Sequence, residues 1–204
     1  MNQEDLVSVI MPTYNASKYL ADSINSILNQ TYKNLELLIT DDASTAPITL
    51  QLLQEIASRD NRVNILYLKE NHGAGYARNK SIERAKGRYI AFCDSDDRWT
   101  TDKLEKQIAF MNKKKCALSC ASYIIFDGET QEEIGFCTAP KKITYGMMKR
   151  DNKVGCLTAI YDIKMLGRKF FMPTIRKRQD WALFLQIIKE CKVCYSYPSK
   201  PLAY

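Results

Sequence analysis

Short apolar runs alternate with amphipathic stretches through the first half of the chain. Four runs rich in Val, Ile, Leu and aromatic residues predict buried strands, at 6–11, 35–40, 64–68 and 88–93. Apolar residues recur at helical spacing between them, over 19–28, 48–59 and from the glycine loop at 73–75 to residue 85. This β-α-β-α-β-α-β order predicts an α/β fold, a doubly wound, mostly parallel sheet with helices on both faces.

The pattern is less regular after residue 99. Apolar spacing predicts three helices, at 102–113, 143–149 and 180–191. Apolar or alternating runs predict four strands, at 117–127, 133–137, 156–162 and 193–197. No repeat or linker separates the two halves, so residues 1–204 are predicted to form a single compact domain.

Polar residues directly follow three of the first four predicted strands. They read PTYN at 12–15, DD at 41–42 and DSDD at 94–97. A parallel sheet brings the carboxyl ends of its strands to one edge, so these clusters are expected to meet there. Asp94 and Asp96 form an Asp-x-Asp pair, and carboxylates suit a hard cation such as Mg²⁺ or Mn²⁺ that neutralises a diphosphate.

Two further segments can carry chemistry. Gly73 lies in a glycine-bearing loop that lets a nucleotide approach the backbone, and the helix that follows favours anionic groups at its start. Asp180 lies at a predicted helix start, where a carboxylate can accept a proton from an attacking hydroxyl. A simple helix-capping role for Asp180 is the alternative.

The chain carries 30 basic and 23 acidic residues, a net charge of +7. The excess predicts either a solvated basic face or attraction to phosphates on a nucleotide, a lipid-linked acceptor or an anionic membrane. Nucleic acid is not an expected partner, because no recognition signature accompanies the scattered cations. Seven cysteines without an export signal, after a polar and acidic N-terminus, favour a cytoplasmic location.

Four strings in a fixed order resemble the family 2 glycosyltransferases, which are inverting sugar-nucleotide enzymes with a GT-A fold. The strings are VSVIMPTYN at 7–15, TDDAS at 40–44, FCDSDD at 92–97 and RQDW at 178–181. The resemblance spans almost the whole chain. It implies a nucleotide-sugar-binding half at 1–100 and an acceptor-binding half at 101–204.

The resemblance also assigns roles to individual residues. Asp96 is the expected direct metal ligand, with Asp94 at the metal or the ribose and Asp97 shaping the donor-sugar site. Asp42 is expected to accept the imide N–H of uracil, whereas Asp41 is structural. Asp180 is expected to be the general base. The remaining residues expected to contact the nucleotide are Pro12, Thr13, Tyr14, Gly73, Arg78 and Ser95.

Two details of these assignments stay open. Arg78 can pair with a site carboxylate or with a phosphate, and a purely structural role is equally compatible with the sequence. Arg176 and Arg178 can hold the diphosphate or the acceptor. Gln179 departs from the family pattern, which usually has Glu directly before the catalytic Asp.

The implied activity is metal-dependent transfer of a sugar from a nucleotide diphosphate, UDP being favoured, to a hydroxyl in cell-surface glycan synthesis. A glycan or lipid-linked glycan is the expected acceptor, and peripheral attachment at the inner face of the membrane is an open possibility. A nucleotidyltransferase is disfavoured, because no glycine-rich phosphate loop follows the first strand. A truncated, non-catalytic UDP-binding module remains the alternative, because related chains usually continue past residue 204.

Overall fold

The computed structural model describes residues 5–204 and contains one large mixed sheet and one small hairpin. The strands are β1 Val7–Thr13, β2 Leu35–Asp41, β3 Val63–Tyr67, β4 Tyr89–Phe92, β5 Leu118–Cys120, β6 Tyr123–Phe126, β7 Glu133–Cys137, β8 Lys142–Thr144, β9 Ile160–Asp162 and β10 Val193–Ser196. The helices are α1 Leu20–Leu28, α2 Pro47–Arg59, α3 Ala74–Arg84, α4 Lys103–Lys114, α5 Tyr145–Arg150, α6 Ile163–Leu166 and α7 Gln179–Cys191.

The large sheet has eight strands in the order β3-β2-β1-β4-β9-β5-β10-β8. Strands β1 to β4 are mutually parallel, and β5 and β10 also form a parallel pair. Strand β9 is antiparallel to both of its neighbours, and β8 is antiparallel at one edge. The strands that carry the predicted site residues therefore end at one edge of a single sheet.

Apolar side chains cover both faces of this sheet, which confirms the predicted doubly wound architecture. One buried cluster joins β1 and β2 to α1, α2 and α4, and a second cluster joins β4, β5 and β9 to α3, α5 and α7. All seven residues of β1 are buried. A strand sandwiched between two helical layers needs apolar residues at successive positions, which is why the four N-terminal strands stand out in the sequence.

Three predictions for the second half are wrong in detail. The run at 117–127 forms two strands in different sheets. Between these strands, the carbonyls of Cys120 and Ser122 accept hydrogen bonds from the backbone N–H groups of Tyr197 and Leu202. Residues 142–144 form a strand on β10, and the predicted helix at 143–149 begins only after them. The predicted strand at 156–162 opens with a 3₁₀ turn at Cys156–Thr158.

Residues 1–4 lie outside the described range. The absence of a signal peptide at the N-terminus therefore stays a prediction. Among the described residues, no helix is long and apolar enough to cross a membrane.

A lysine lies fully buried beneath the site edge. Lys103 has no exposed surface, and its Nζ lies 4.1 Å from the centre of the Trp99 ring. Within residues 5–204, Nζ has no hydrogen-bond partner. Burial lowers the pKa of Lys103 to about 7.

Lys103 is therefore expected to make stability depend on pH. An unfolded lysine has a pKa of about 10.4, so between roughly pH 7 and 10 the unfolded chain binds a proton that the folded chain lacks, and stability rises with pH. The contribution is at most about 1.4 kcal/mol per pH unit. Urea unfolding at pH 7 and pH 9 should show this rise in the wild type relative to Lys103→Met. Equal pH dependence of the two proteins would contradict a depressed lysine pKa.

Candidate active site

The polar clusters after β1, β2 and β4 meet in one pocket of about 200 Å³. Its walls are Pro12, Thr13, Tyr14, Asp42, Ala74, Arg78, Asp94, Ser95 and Asp96. The structure thus brings together every residue predicted to contact the nucleotide or the metal except Gly73. Gly73 does not line the pocket, but its backbone N–H donates to Asp42, which does. Tyr14 lies at the rim with 51% of its surface exposed, so its ring is free to stack on a planar ligand.

Asp42 holds the glycine loop against the strand ends. Its carboxylate accepts hydrogen bonds from the backbone N–H of His72 (2.9 Å) and of Gly73 (2.7 Å). Gly73 adopts φ of 88°, a conformation that glycine reaches without steric cost. A carboxylate oxygen can accept more than one hydrogen bond, so these two bonds leave Asp42 with further acceptor capacity. Reading of a base by Asp42 therefore remains possible, but the loop contact is an additional role that the sequence did not predict.

Asp41 and Asn15 fix the turns around the pocket. Asp41 accepts from the backbone N–H of Ser44 at 2.9 Å, in agreement with its predicted structural role. Asn15 Oδ1 accepts from the backbone N–H groups of Thr45 and Ala46, both at 2.9 Å. These bonds leave the pocket preformed.

Thr13 carries a buried hydroxyl in the wall of the pocket. The residue is 3% exposed, and its Oγ1 has no hydrogen-bond partner among residues 5–204. A buried hydroxyl without a partner is unfavourable, so this atom is suited to a bond with a bound ligand.

Arg78 and Asp94 form a two-point ion pair across the pocket floor. Arg78 Nε lies 3.1 Å from Asp94 Oδ1, and Nη2 lies 2.5 Å from Oδ2. Arg78 is only 8% exposed. Burial disfavours its charge, but Asp94 and, more weakly, Asp180 outweigh burial and raise the pKa of Arg78. Arg78 therefore stays charged and holds Asp94 in place, which favours the carboxylate alternative among its predicted partners.

Asp96 and Asp97 form an acidic centre next to this pair. Burial and the charge of Asp94 raise the pKa of Asp96. Burial, with repulsion from Asp94 and Asp96, raises the pKa of Asp97 to about 8. Ionised Asp96 and Asp97 thus repel each other and Asp94, and a bound cation would relieve that repulsion.

The acidic centre fits a divalent cation that shares its ligands with a substrate. No three His, Cys, Asp or Glu side chains converge as a preformed metal cage within residues 5–204. Magnesium and manganese sites of nucleotide enzymes commonly use one or two carboxylates and complete the shell with water and phosphate oxygens. Asp96 and Asp94 supply the carboxylates, so the chemistry of the donor set fits.

A second pocket of about 390 Å³ opens on the other side of Asp96 and Asp97. Its further walls come from the start of α1, the β6–β7 hairpin, the 3₁₀ turn and the last residue, and they include Tyr19, Arg98, Tyr123, Phe126, Leu157 and Tyr204. Tyr19 donates its hydroxyl to the Gly128 carbonyl, and Lys18 donates to the same oxygen at 2.8 Å. Sequence analysis missed this pocket, because its aromatic residues are scattered and meet only through the hairpin.

Asp180 lies in the first turn of α7, close enough to Arg78 to influence its charge. Asn152 Nδ2 donates to Asp180 Oδ2 at 3.1 Å and so orients that carboxylate. Asp180 acts electrostatically on both Arg78 and Cys156, so it lies near the Arg78–Asp94 pair. Burial raises the pKa of the Cys156 thiol well above its usual value. Asn152 and Cys156 were not predicted, since no motif surrounds them.

Gln179, the departure from the family pattern, has a structural task. Its side chain packs against Gly75, where an added Cβ would lie 3.0 Å from Gln179 Cγ. Its Nε2 donates to the carbonyls of Ile175 (2.8 Å) and Arg176 (3.2 Å). Gln179 thereby fixes the start of α7, and with it Asp180, against the glycine loop.

A doubly wound sheet with an Asp-x-Asp cluster, a glycine loop and a facing carboxylate at one edge defines a GT-A glycosyltransferase. Residues 8–172 match the glycosyl transferase family 2, and the chain belongs to that family. The predicted family and fold are therefore confirmed, and the protein is a glycosyltransferase.

Two curated relatives cover most of the chain. TuaG of Bacillus subtilis, a glycosyltransferase named for teichuronic acid biosynthesis, is 43% identical over 95% of this chain and 76% of its own length. The Escherichia coli UDP-Glc:alpha-D-GlcNAc-diphosphoundecaprenol beta-1,3-glucosyltransferase WfgD is 40% identical over 91% of this chain and 70% of its own.

Two solved structures share the fold. The S. aureus TarS 1-349 complex with UDP has a TM-score of 0.76 and 22% identity over 97% of this chain. The Pyrobaculum calidifontis mannosyltransferase PcManGT, solved with GDP-Man and Mn²⁺, has a TM-score of 0.72 and 18% identity over 97% of this chain. The chain spans 59% and 56% of those two solved chains.

Proposed function

We propose that this glycosyltransferase moves a sugar from UDP to a hydroxyl of a lipid-linked glycan, with inversion at the anomeric carbon. The observation that carries the proposal is the single pocket that joins Asp42, the Arg78–Asp94 pair and Asp96, with Asp180 facing it. The donor and the diphosphoundecaprenol acceptor in the name of the Escherichia coli relative support the substrate classes.

The lining of the pocket supports one orientation of the donor nucleotide in this proposal. Uracil lies on the Asp42 side, where the carboxylate accepts the imide N–H, and Tyr14 stacks on the ring. The Thr13 hydroxyl and the backbone of Pro12 and Thr13 supply further polar contacts. The diphosphate then points toward Asp94 and Asp96.

Asp96, with Asp94, would hold Mn²⁺ or Mg²⁺. The cation would neutralise the charge that develops on the leaving diphosphate. Arg78 keeps Asp94 oriented, because its guanidinium binds both oxygens of that carboxylate. The raised pKa values of Asp96 and Asp97 support a site built to receive positive charge.

Asp180 acts as general base in this proposal. The acceptor hydroxyl attacks the anomeric carbon from the face opposite the diphosphate, so the carbon–oxygen bond to UDP breaks as the new glycosidic bond forms. The hydroxyl proton passes to Asp180, whose Oδ2 is fixed by Asn152. The aromatic walls of the second pocket hold the reacting sugars next to Asp97.

The inner face of the cytoplasmic membrane is the proposed place of action. A water-soluble UDP-sugar and a lipid-linked acceptor meet only at such a boundary. The net charge of +7 supports peripheral attraction to anionic lipids, each nearby cation contributing about 1 kcal/mol.

A turnover assay tests the function directly. Purified protein is incubated with Mn²⁺, a panel of UDP-sugars and GlcNAc-diphosphate on a short prenyl chain, and products are separated by mass spectrometry. A new glycosylated lipid supports the proposal. Binding of UDP without transfer to any acceptor would instead favour a non-catalytic UDP-binding module.

Asp42→Ala is expected to weaken UDP binding. Loss of one hydrogen bond between a carboxylate and the uracil imide costs about 1.5–3 kcal/mol. Calorimetric titration of UDP in Mn²⁺ measures the effect. Asp41→Ala is the matched control, because Asp41 is the neighbouring carboxylate at the end of β2 but bonds Ser44. Unchanged UDP affinity in Asp42→Ala would move the base pocket elsewhere.

A further inference from the structure

Three consecutive cations precede the candidate base. Arg176, Lys177 and Arg178 are exposed, and none of them forms an ion pair within residues 5–204. Arg178 adopts φ of 64° at the N-cap of α7 and lies 5.1 Å from the centre of the Trp181 ring. We call residues 176–178 the cationic loop. It concentrates three positive charges next to Asp180, and Arg178 also interacts electrostatically with Asp151.

The cationic loop is held at the site by Gln179. The Gln179 side chain bonds the carbonyls of Ile175 and Arg176 and packs on Gly75 of the glycine loop. Asp180 lies two residues after Arg178 and faces the Arg78–Asp94 pair. The cations therefore flank the region in which an acceptor hydroxyl must lie to reach Asp180.

Exposed apolar side chains accompany the cations. Ile175 is 46% exposed and Phe171 is 41% exposed, on the same segment between β9 and α7. Cations next to exposed apolar groups fit an amphiphile whose anionic head joins an apolar chain. A free nucleotide offers no apolar chain, so this combination favours the acceptor over the donor as the ligand.

We propose that the cationic loop binds the diphosphate of a lipid-linked sugar acceptor, and that Ile175 and Phe171 contact the first units of its lipid chain. This inference rests on the proposed function and names the part of the site that selects the acceptor. In this proposal the acceptor hydroxyl lies at Asp180. The diphosphate of the same acceptor then lies one sugar ring away, toward Arg176 and Arg178. The donor diphosphate is the other source of the same chemistry, and the experiment separates the two.

The test variant is Arg176→Ala combined with Lys177→Ala. Arg178 is left in place, because it caps α7 and stacks on Trp181. The matched control is Lys113→Ala with Lys114→Ala, which removes the same charge at the end of α4, next to the start of β5 and at the opposite edge of the sheet.

The measurements are steady-state kinetics with two acceptors and a calorimetric titration with UDP. With GlcNAc-diphosphate on a short prenyl chain, the variant should raise KM about tenfold or more with little change in kcat, since charge-assisted bonds are lost. With octyl GlcNAc, which lacks the diphosphate, variant and wild type should have the same KM. Calorimetric Kd for UDP in Mn²⁺ should be unchanged, and the control pair should resemble the wild type throughout.

Other results overturn the proposal. A loss of UDP affinity as large as the rise in KM would assign the loop to the donor diphosphate. If neither KM nor the Kd for UDP changes, the loop is a solvated surface. If the wild type transfers to neither acceptor, the proposed function fails, but the loop is still tested by calorimetric binding of the prenyl diphosphate sugar. Equal binding by wild type and variant in that measurement would refute the loop assignment.

Discussion

Asp180→Asn is expected to lower the rate of sugar transfer by about 10²–10⁴-fold while UDP affinity stays unchanged. The amide keeps the shape of the side chain and can still bond at the start of α7, but it cannot accept the acceptor proton. Asp180 also lies outside the residues that line the nucleotide pocket. The measurement is a steady-state transfer assay paired with UDP calorimetry on the same protein.

Asp22→Asn is the matched control for this variant. Asp22 is the first-turn acid of α1, as Asp180 is of α7, so the same change removes the same charge near a helix start. It should leave transfer near the wild-type rate. Transfer by Asp180→Asn close to the wild-type rate would reduce Asp180 to a helix-start acid and make Asp97 the next candidate base.

Asp96→Ala is expected to abolish the dependence of UDP affinity on Mn²⁺. Mutating even residues that only support metal ligands costs about 10–100-fold in metal affinity, and loss of a direct ligand should cost at least as much. Folding should change little, because the pKa of Asp96 is raised and its charge is not favoured in the metal-free protein. UDP titrations in Mn²⁺ and in chelator, on wild type and variant, measure the effect.

Asp94→Asn supplies the contrast. It leaves the buried Arg78 guanidinium without its paired charge, so thermal unfolding should show a loss of stability that Asp96→Ala does not show. If the wild type binds UDP equally well in Mn²⁺ and in chelator, donor binding does not depend on the metal.

The N-terminal half of the fold was predictable because three of its four strands, β1, β2 and β4, are buried along almost their whole length. Such strands appear as unbroken apolar runs, and their ends carry the polar clusters that meet in the pocket. The run at 117–127 was wrongly predicted to be one strand because it, too, has no visible break. It contains no glycine or proline, yet β5 ends at Cys120 and β6 joins a separate hairpin.

Site residues were predictable where a motif surrounds them and not where a contact alone defines them. Asp42 and Asp96 follow strand ends, so their approach follows from the sheet. Asn152 reaches Asp180 only through the packing of α5 against α7. Tyr204 comes to the same pocket as Asp97 because its backbone pairs with that of Arg98, more than one hundred residues earlier. Such pairings depend on tertiary packing that local periodicity does not encode.

The position of β9 has a consequence for how the chain reaches its native state. Strand β4 pairs with β1 on one side, but its other edge is completed by β9, far later in the sequence. During synthesis, Tyr89–Phe92 therefore offers an open hydrogen-bonding edge with apolar side chains until residues 160–162 leave the ribosome. Open apolar edges recruit other chains. A fragment that ends after β4 is therefore expected to aggregate, because that strand would lack its partner β9.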